Sequence, residues 1–250
     1  MSGHSKWHSI KHKKGANDAA RGKIFTRHAR LITIAARDGG GDPADNPNLA
    51  TAIANARAEN MPNLNIERAI KKGTGADKDA ARLEEMSFEG YAVGGVAVLV
   101  SVISDNKNRT VASVRAIFKK FGGNLGENGS VAWIFETKAR FEIAAKSNAE
   151  EIELKMIDAG ADDISEIDGN LEIIAPPENF AKIKTALETC GAEILVAKIE
   201  KIPQNSVEIA DEKTAKNILN LLSALDEDDD VSGVVANFEI DDAILQKVGG

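Results

Sequence analysis

Apolar residues recur at helical spacing through the first 75 positions of the chain. A long helix is predicted to begin near Asp18 and to stop at the glycines of residues 39–41. Two shorter helices are predicted by apolar residues three or four positions apart, namely Leu49, Ile53 and Ala56 in one and Ile66 and Ile70 in the other. The pattern therefore predicts an N-terminal three-helix domain over residues 1–75, ending in a glycine-containing linker.

Beyond the linker, strands alternate with helices. The unbroken apolar run at 96–103 predicts a buried strand, and the block 137–202 has the order β-α-β-β-α-β of a ferredoxin-like domain. The flanking segments 83–136 and 203–242 supply further strands and two helices, which we expect to close into a second α/β domain around the first. The predicted fold is therefore α+β: an N-terminal three-helix domain followed by two ferredoxin-like α/β domains, one inserted in the other.

Charge is distributed unevenly along the chain. The net charge is −8, yet residues 1–37 contain nine Lys/Arg and one acid, whereas 18 Lys/Arg stand against 33 Asp/Glu after Lys72. A basic end on an acidic chain is typical of proteins that contact nucleic acid or membranes. Two plainer interpretations stay open: the basic end only aids solubility, or it docks on the chain's own acidic domains.

The first helix has a basic side and an apolar side. At about 100° per residue, Lys23, Arg27, Arg30 and Arg37 fall within one arc, opposite Ile24, Phe25, Leu31, Ile32, Ala35 and Ala36. We expect the basic side to be exposed and to bind phosphates rather than to read bases, because it carries no matching Asn or Gln residues. The acidic run at 226–230 is expected to be a solvated loop.

Three stretches of sequence go beyond generic patterning. They are GHSKW, IKHK and RGKIF at 3–7, 10–13 and 21–25; IERAIKKGTG at 66–75; and SDNKNRT, FGGNLG and GSVAW at 104–110, 121–126 and 129–133. Together they resemble the YebC/PmpR family, which includes the mitochondrial translational activators, and the resemblance covers essentially the whole chain. It implies an N-terminal helical domain, two α/β domains with one inserted in the other, and a regulatory role without settled catalytic residues.

Bacterial members of that family are generally described as DNA-binding transcriptional regulators, and other members act in translation at the ribosome. The chain is therefore expected to be a non-enzymatic, cytoplasmic regulator of gene expression that binds DNA. The alternative is a translation factor on the ribosome or its RNA, which the repulsion between duplex DNA and the acidic domains favours. An enzyme and a protein-docking module are the further alternatives.

The residues expected to bind nucleic acid lie in the basic N-terminal region. They are Lys6, Trp7, Lys11, His12, Lys13, Lys14, Lys23, Arg27, Arg30, Lys71 and Lys72. Trp7 is expected either to stack on a base or to pack on the helical domain. Trp133, the second tryptophan, is expected in the core.

Catalytic and metal chemistry is not predicted. The glycine-rich segment 121–126 lacks the lysine of a P-loop. His4, His8 and His12 are spaced four apart, but the lysines between them repel a cation. We therefore expect no catalytic residue, metal or cofactor.

The remaining features fit a protein of the reducing cytoplasm. The single cysteine, Cys190, cannot form an internal disulfide and is expected to be buried on an apolar helix face. No secretory signal is recognisable at the N-terminus, and no apolar run is long enough to span a bilayer. Membranes are therefore not expected among the partners.

Overall fold

The computed structural model describes residues 18–75, 82–144, 149–167, 169–241, 243–244 and 247. It begins with three helices: α1 (Asp18–Gly39), α2 (Pro47–Ala58) and α3 (Asn63–Gly73). Asn46 caps α2 by accepting a hydrogen bond from the backbone N–H of Leu49 at 3.0 Å. The end of α3 lies close against α1, since a Cβ on Gly73 would be 2.3 Å from the carbonyl oxygen of Thr33.

The three helices share a core of their predicted apolar faces. Its buried members are Ile32, Ala36, Leu49, Ile53, Ala56, Met61, Ile66 and Ala69. The other side of α1 contributes Ile34, which packs with Leu83 and Ile103. Because its apolar residues extend to two neighbouring surfaces, α1 joins the helical part to the sheet that follows.

The first sheet contains the strands β1 (Glu84–Tyr91), β2 (Ala97–Ser104), β3 (Asn124–Leu125) and β9 (Val231–Ala236). They are antiparallel neighbours in the order β3-β1-β2-β9. Helices α4 (Lys107–Lys120) and α7 (Glu212–Asp226) contribute their apolar sides to the core of this sheet. The short strands β8 (Val207–Ile209) and β10 (Phe238–Ile240) form a separate parallel pair.

Residues Phe135–Gln204 form a second compact unit. Its elements are β4 (Phe135–Ala144), α5 (Ala149–Ala159), β5 (Asp163–Ile167), β6 (Asn170–Ala175), α6 (Phe180–Thr189) and β7 (Ile194–Pro203). The strand order is β5-β6-β4-β7 with antiparallel neighbours, which is the ferredoxin-like arrangement predicted for this block. Both helices pack in one core with the sheet.

The predicted fold class is confirmed: three helices precede two mixed α/β parts. Strand β2 pairs with β9 across the whole second unit in the chain, so that unit is inserted. The exact boundaries 1–75, 83–136 with 203–242, and 137–202 stay a proposal. Among the described residues, no helix is long and apolar enough to cross a membrane.

Two predicted core residues are placed differently. Trp133 is 68% exposed, because the 3-10 turn Ala132–Ile134 directs Ile134 inward instead and the indole N–H is satisfied by the carbonyl oxygen of Ser130 at 3.2 Å. Cys190 is only partly buried, because it lies at the C-cap of α6 rather than on the inner side of the helix. The predictions that Trp133 is a core residue and that Cys190 is buried on an apolar helix face are therefore wrong.

Candidate nucleic-acid interface

Five of the predicted site residues are among those that the structure describes. Lys23, Arg27 and Arg30 lie on α1, and Lys71 and Lys72 lie in the last turn of α3. The other predicted residues, Lys6, Trp7, Lys11, His12, Lys13 and Lys14, lie outside the described residues. The structure therefore shows the part of the predicted interface that lies on α1 and α3. We call residues 1–14, which precede these helices in the chain, the basic arm.

The basic side of α1 faces the end of α7 and the acidic loop that follows it. Lys23 Nζ donates to the carbonyl oxygen of Glu227 at 2.7 Å. Arg27 Nη2 donates to both the carbonyl oxygen and the carboxylate of Asp226, at 2.9 and 2.8 Å. The last carbonyls of a helix have no partner within it and carry the negative end of the helix dipole. These two cations of α1 thus cap the C-terminus of α7.

Arg30 reaches further into the same loop. Its Nη1 donates to the carbonyl oxygens of Ile103 and Asp229, at 2.7 and 2.6 Å, and to the carboxylate of Asp230 at 2.9 Å. Arg37, the next cation on this side, donates to the carbonyl oxygen of Leu83 at 2.7 Å. Cations along about four turns of α1 are therefore bonded within the chain.

Asp230 is the centre of this network and is 6% exposed. Besides Arg30, its carboxylate accepts from Thr110 Oγ1 at 2.6 Å, Ser104 Oγ at 3.0 Å and Arg109 Nη2 at 2.9 Å. Burial alone raises the pKa of a carboxyl group, but the hydrogen bonds from these residues outweigh it and lower the pKa of Asp230 to about 2. The carboxylate therefore stays ionised and holds the start of α4, the end of β2 and α1 together.

Two expectations from the sequence are corrected by this network. The basic side of α1 is not freely exposed, because only 23% of the Arg27 side chain and 20% of the Arg30 side chain meet solvent. The acidic run 226–230 is not merely solvated, because its carbonyls and two of its carboxylates bind those arginines. That Lys23, Arg27 and Arg30 bind phosphates stays a prediction. Lys23 is exposed and makes one bond to the loop, whereas the two mostly buried arginines would have to exchange their loop acceptors for a phosphate.

Lys71 and Lys72 are placed differently from the α1 cations. Lys71 is exposed, Lys72 is half-buried, and neither forms an ion pair or hydrogen bond through its ammonium group with any described residue. Both follow Ala69 and Ile70, which fix the inner side of α3 against the helical core. These two lysines are available to an external anion.

A further basic helix was missed by the sequence reasoning. Helix α4 carries Lys107, Arg109, Arg115, Lys119 and Lys120 and no acid. The signal was present in the sequence, but summing all charge after residue 72 into one acidic total hid this local excess. Arg115 and Lys119 are exposed, and no acidic side chain in the described part of the chain pairs with them.

Within the described residues, no group of three or more His, Cys, Asp or Glu side chains is arranged to hold a metal ion. The predicted exclusion of a site at His4, His8 and His12 concerns residues outside that part. Asn106 caps α4 by accepting a hydrogen bond from the backbone N–H of Arg109 at 3.0 Å.

Comparisons with known proteins agree along the whole chain. Residues 5–76 match the TACO1/YebC protein N-terminal domain, and residues 83–238 match the TACO1/YebC second and third domain. A "probable transcriptional regulatory protein" of Desulfosudis oleivorans is 50% identical over 246 residues, covering 98% of this chain and 99% of its own. One of the same description from Thermotoga maritima is 48% identical over 250 residues, covering 99% and 98%.

A solved structure shows the same fold. The crystal structure of a conserved hypothetical protein from Aquifex aeolicus superposes with a TM-score of 0.84 at 47% sequence identity, covering 92% of this chain and 94% of that one. Both family models and full-length relatives therefore agree with the resemblance carried by the sequence motifs. The chain belongs to the TACO1/YebC family.

Proposed function

We propose that this chain is a non-enzymatic, cytoplasmic regulator of transcription that binds DNA through its basic arm. The observation that carries the proposal is the charge division, with nine Lys/Arg and one acid in residues 1–37 of a chain whose net charge is −8. The relatives' descriptions as probable transcriptional regulatory proteins support the regulatory role.

The arm, rather than α1, is proposed as the main phosphate-binding element. Lys23, Arg27 and Arg30 already donate to the loop at 226–230, so a phosphate must compete with those acceptors. Lys71 and Lys72 have no such competitor among the described residues. The arm and the last turn of α3 are therefore proposed to supply the first contacts, and the α1 cations join only where the loop releases them.

Such a surface binds the sugar-phosphate backbone rather than a base sequence. Lysine ammonium groups act as point charges, and specificity for bases needs side chains that reach base edges in a groove. Each neutralised phosphate contributes about −0.9 to the slope of log affinity against log salt on duplex DNA. About five contacts would thus give a slope of about −4 to −5.

The test is a salt titration of binding to a labelled 30-base-pair duplex, followed by fluorescence anisotropy. We expect Lys6→Ala, Lys11→Ala, Lys13→Ala and Lys14→Ala combined to flatten the slope by about three to four. The matched control replaces Lys182 and Lys184 of α6 by Ala and should leave the slope unchanged. A control that abolishes binding, together with an arm variant that binds normally, would contradict the proposal.

The nature of the nucleic acid in the cell needs its own measurement. Crosslinking in cells followed by sequencing should recover chromosomal DNA if the chain regulates transcription. Recovery of ribosomal RNA instead would favour the alternative, a translation factor on the ribosome, for which the acidic charge beyond Lys72 is the supporting observation. An acidic body opposes close approach to duplex DNA except along its basic parts.

A further inference from the structure

We propose that the solvent side of helices α4 and α7 binds the sugar-phosphate backbone of a double-stranded nucleic acid. We call this surface the α4–α7 face and define it by five cations: Arg115, Lys119 and Lys120 of α4, and Lys213 and Lys216 of α7. None of these residues belongs to the arm, α1 or α3. The inference therefore does not depend on the residues that carry the proposed function.

Helices α4 and α7 lie on the same side of the first sheet. Phe118 of α4 packs on Gly90 of β1, since a Cβ on Gly90 would be 2.7 Å from Phe118 Cε1. Gly90 pairs with Val98 of β2, so the Val98 side chain points to that side of the sheet. Val98 and Phe118 belong to one hydrophobic core with Ile218 and Leu222 of α7. The two helices also contact each other directly, so together they form one layer.

The end of α4 and the start of α7 flank the same short turn, Val93–Gly95. A Cβ on Gly122, just beyond α4, would be 3.1 Å from Cγ1 of Val93. A Cβ on the next residue of the turn, Gly94, would be 3.2 Å from Cγ2 of Thr214, in the first turn of α7. The lysines that end α4 and those that begin α7 are therefore brought to one end of the helical layer.

The five cations of the α4–α7 face are available to a ligand. All five are exposed, and none forms an ion pair with another residue in the described part of the chain. The ammonium group of Lys120 lies over the ring of Phe121, 5.2 Å from its centroid, which leaves its charge uncompensated. In this respect the face differs from the basic side of α1, whose cations donate to the loop at 226–230.

Carboxylates are scarce within the face. Residues 106–126 and 213–225 contain no acid. Asp211 accepts from the backbone N–H of Thr214 at 2.7 Å and so caps α7, and beyond the other end of that helix Asp228 accepts from the hydroxyl of Ser113. Glu212 is exposed and offsets one of the five positive charges. A net positive charge therefore remains on the layer that α4 and α7 form.

The side chains of the face favour a phosphate backbone over unpaired bases or a protein partner. Binding of unpaired bases uses exposed aromatic rings, and a protein interface uses large aromatic or aliphatic anchors. Among the described residues, every exposed large hydrophobic side chain lies outside α4 and α7. The exposed neighbours of the α4 cations include the small Ala112 and Ala116, which leave room for a phosphate chain to approach the helix. A polar, basic surface of this kind is typical of contacts with a double helix.

The first test is a lysine footprint on the full-length chain, in which acetylation by an N-hydroxysuccinimide ester is followed by mass spectrometry. The probes are a 30-base-pair DNA duplex, an RNA duplex of the same sequence and polyglutamate. We expect a duplex to slow acetylation of Lys119, Lys120, Lys213 and Lys216, and to leave Lys182 and Lys184 of α6 unchanged. The duplex that protects better identifies DNA or RNA as the ligand. Protection by neither duplex, or equal protection by polyglutamate, would overturn the proposal.

The second test asks whether both helices contribute, in a chain whose four arm lysines are replaced by Ala. Arg115→Ala with Lys119→Ala on α4, and Lys213→Ala with Lys216→Ala on α7, should each flatten the salt slope of duplex binding by about two, at about 0.9 per phosphate contact. The matched control, Lys182→Ala with Lys184→Ala, removes the same charge from α6 and should leave the slope unchanged. Equal slopes for all three double variants would show that net charge alone is felt, and would sink the idea.

The same background separates this inference from the proposed function. Weakened duplex binding in the arm variant that still depends on the α4 and α7 cations would support both surfaces. An arm variant that binds as the parent chain does, and loses binding with those cations, would contradict only the proposed role of the arm. Loss of all duplex binding at low salt on replacing the arm lysines would contradict the α4–α7 face and leave the arm as the binding element.

Discussion

Helices α1 and α4 are both basic, and the fold treats their charges differently. On α1, Lys23, Arg27 and Arg30 donate to the end of α7 and to the loop after it. On the outer side of α4, Arg115 and Lys119 form no ion pair with the described residues. A count of positive charge therefore overstates how many cations of α1 are free to bind a ligand. The acidic total after residue 72 conversely hides the free cations of α4.

The difference arises from what faces each helix. The side of α1 meets helix C-terminal carbonyls and the carboxylate of Asp230, which are the acceptors that arginines fit best. The outer side of α4 meets solvent, because its buried side already supplies Phe118 to the sheet core. Arg109 belongs to the first group although it lies on α4, since it donates to Asp230 and Asp105. Position relative to the acidic loop, not residue type, decides whether a cation is paired.

The largest expected effect comes from removing the centre of the α1 network. Asp230→Ala leaves Arg30 and Arg109 without this carboxylate and removes an acceptor of Ser104 and of Thr110. We expect the free energy of unfolding to fall by about 3 kcal/mol, measured by urea unfolding with circular dichroism. Asp229→Ala is the matched control, because that side chain is exposed and only its backbone carbonyl bonds to Arg30. Equal stability of the two variants would show that the network contributes little.

Arg27→Ala should have the next largest effect. Its side chain is mostly buried and makes two hydrogen bonds to Asp226. We expect a loss of about 1 kcal/mol, below that for a fully buried pair because solvent partly screens this one. Arg27→Lys keeps the charge but not the planar donor group, so its stability should lie between those of the parent chain and Arg27→Ala. If Arg27→Ala is as stable as the parent chain, the hydrogen bonds of Arg27 contribute no more to stability than the unpaired cations of α4 do.

Acid should weaken the α1 network by less than Asp230→Ala does at neutral pH, because a protonated carboxyl group can still form hydrogen bonds and alanine cannot. The pKa of Asp230 is about 2 in the folded chain, below the ordinary value of 3.8 for an aspartate. Its contribution to stability is therefore complete above about pH 4 and is lost as the pH falls toward 2. Urea unfolding at several pH values should show a steeper loss in this window for the parent chain than for Asp230→Asn. Parallel curves for the two chains would contradict the assignment of this stability loss to Asp230.

The sequence was sufficient for the elements and insufficient for these pairings. Apolar periodicity is local, so the helices and the order of strands in residues 137–202 could be predicted from it. Arg27 and Asp226 are separated by 199 positions in the chain, and no local pattern connects them. Docking of the basic end on the chain's own acidic residues was one of the open interpretations, but the sequence offered no means to choose it.

Trp133 shows a second limit of the sequence. Its expected burial followed from the general tendency of large aromatic residues to enter cores. The structure places it outside, because Glu89 fixes the backbone of the loop and Ile134 occupies the inner position. A buried carboxylate that accepts three backbone N–H groups cannot be recognised before the fold is known, since Glu89 lies about 40 positions from its donors.

The smallest expected effect tests the unpaired state of α4 directly. Arg115 and Lys119 are four positions apart on one helix, and like charges at that spacing repel by about 0.2–0.5 kcal/mol. Arg115→Ala should therefore leave stability unchanged or raise it by a few tenths of a kcal/mol, whereas Arg27→Ala lowers it. Arg115→Glu, which places an acid N-terminal to Lys119, should raise it further, and the gain should shrink in 1 M salt. A loss of 1 kcal/mol in Arg115→Ala would mean that this arginine has a structural partner, and the contrast between the two helices would fail.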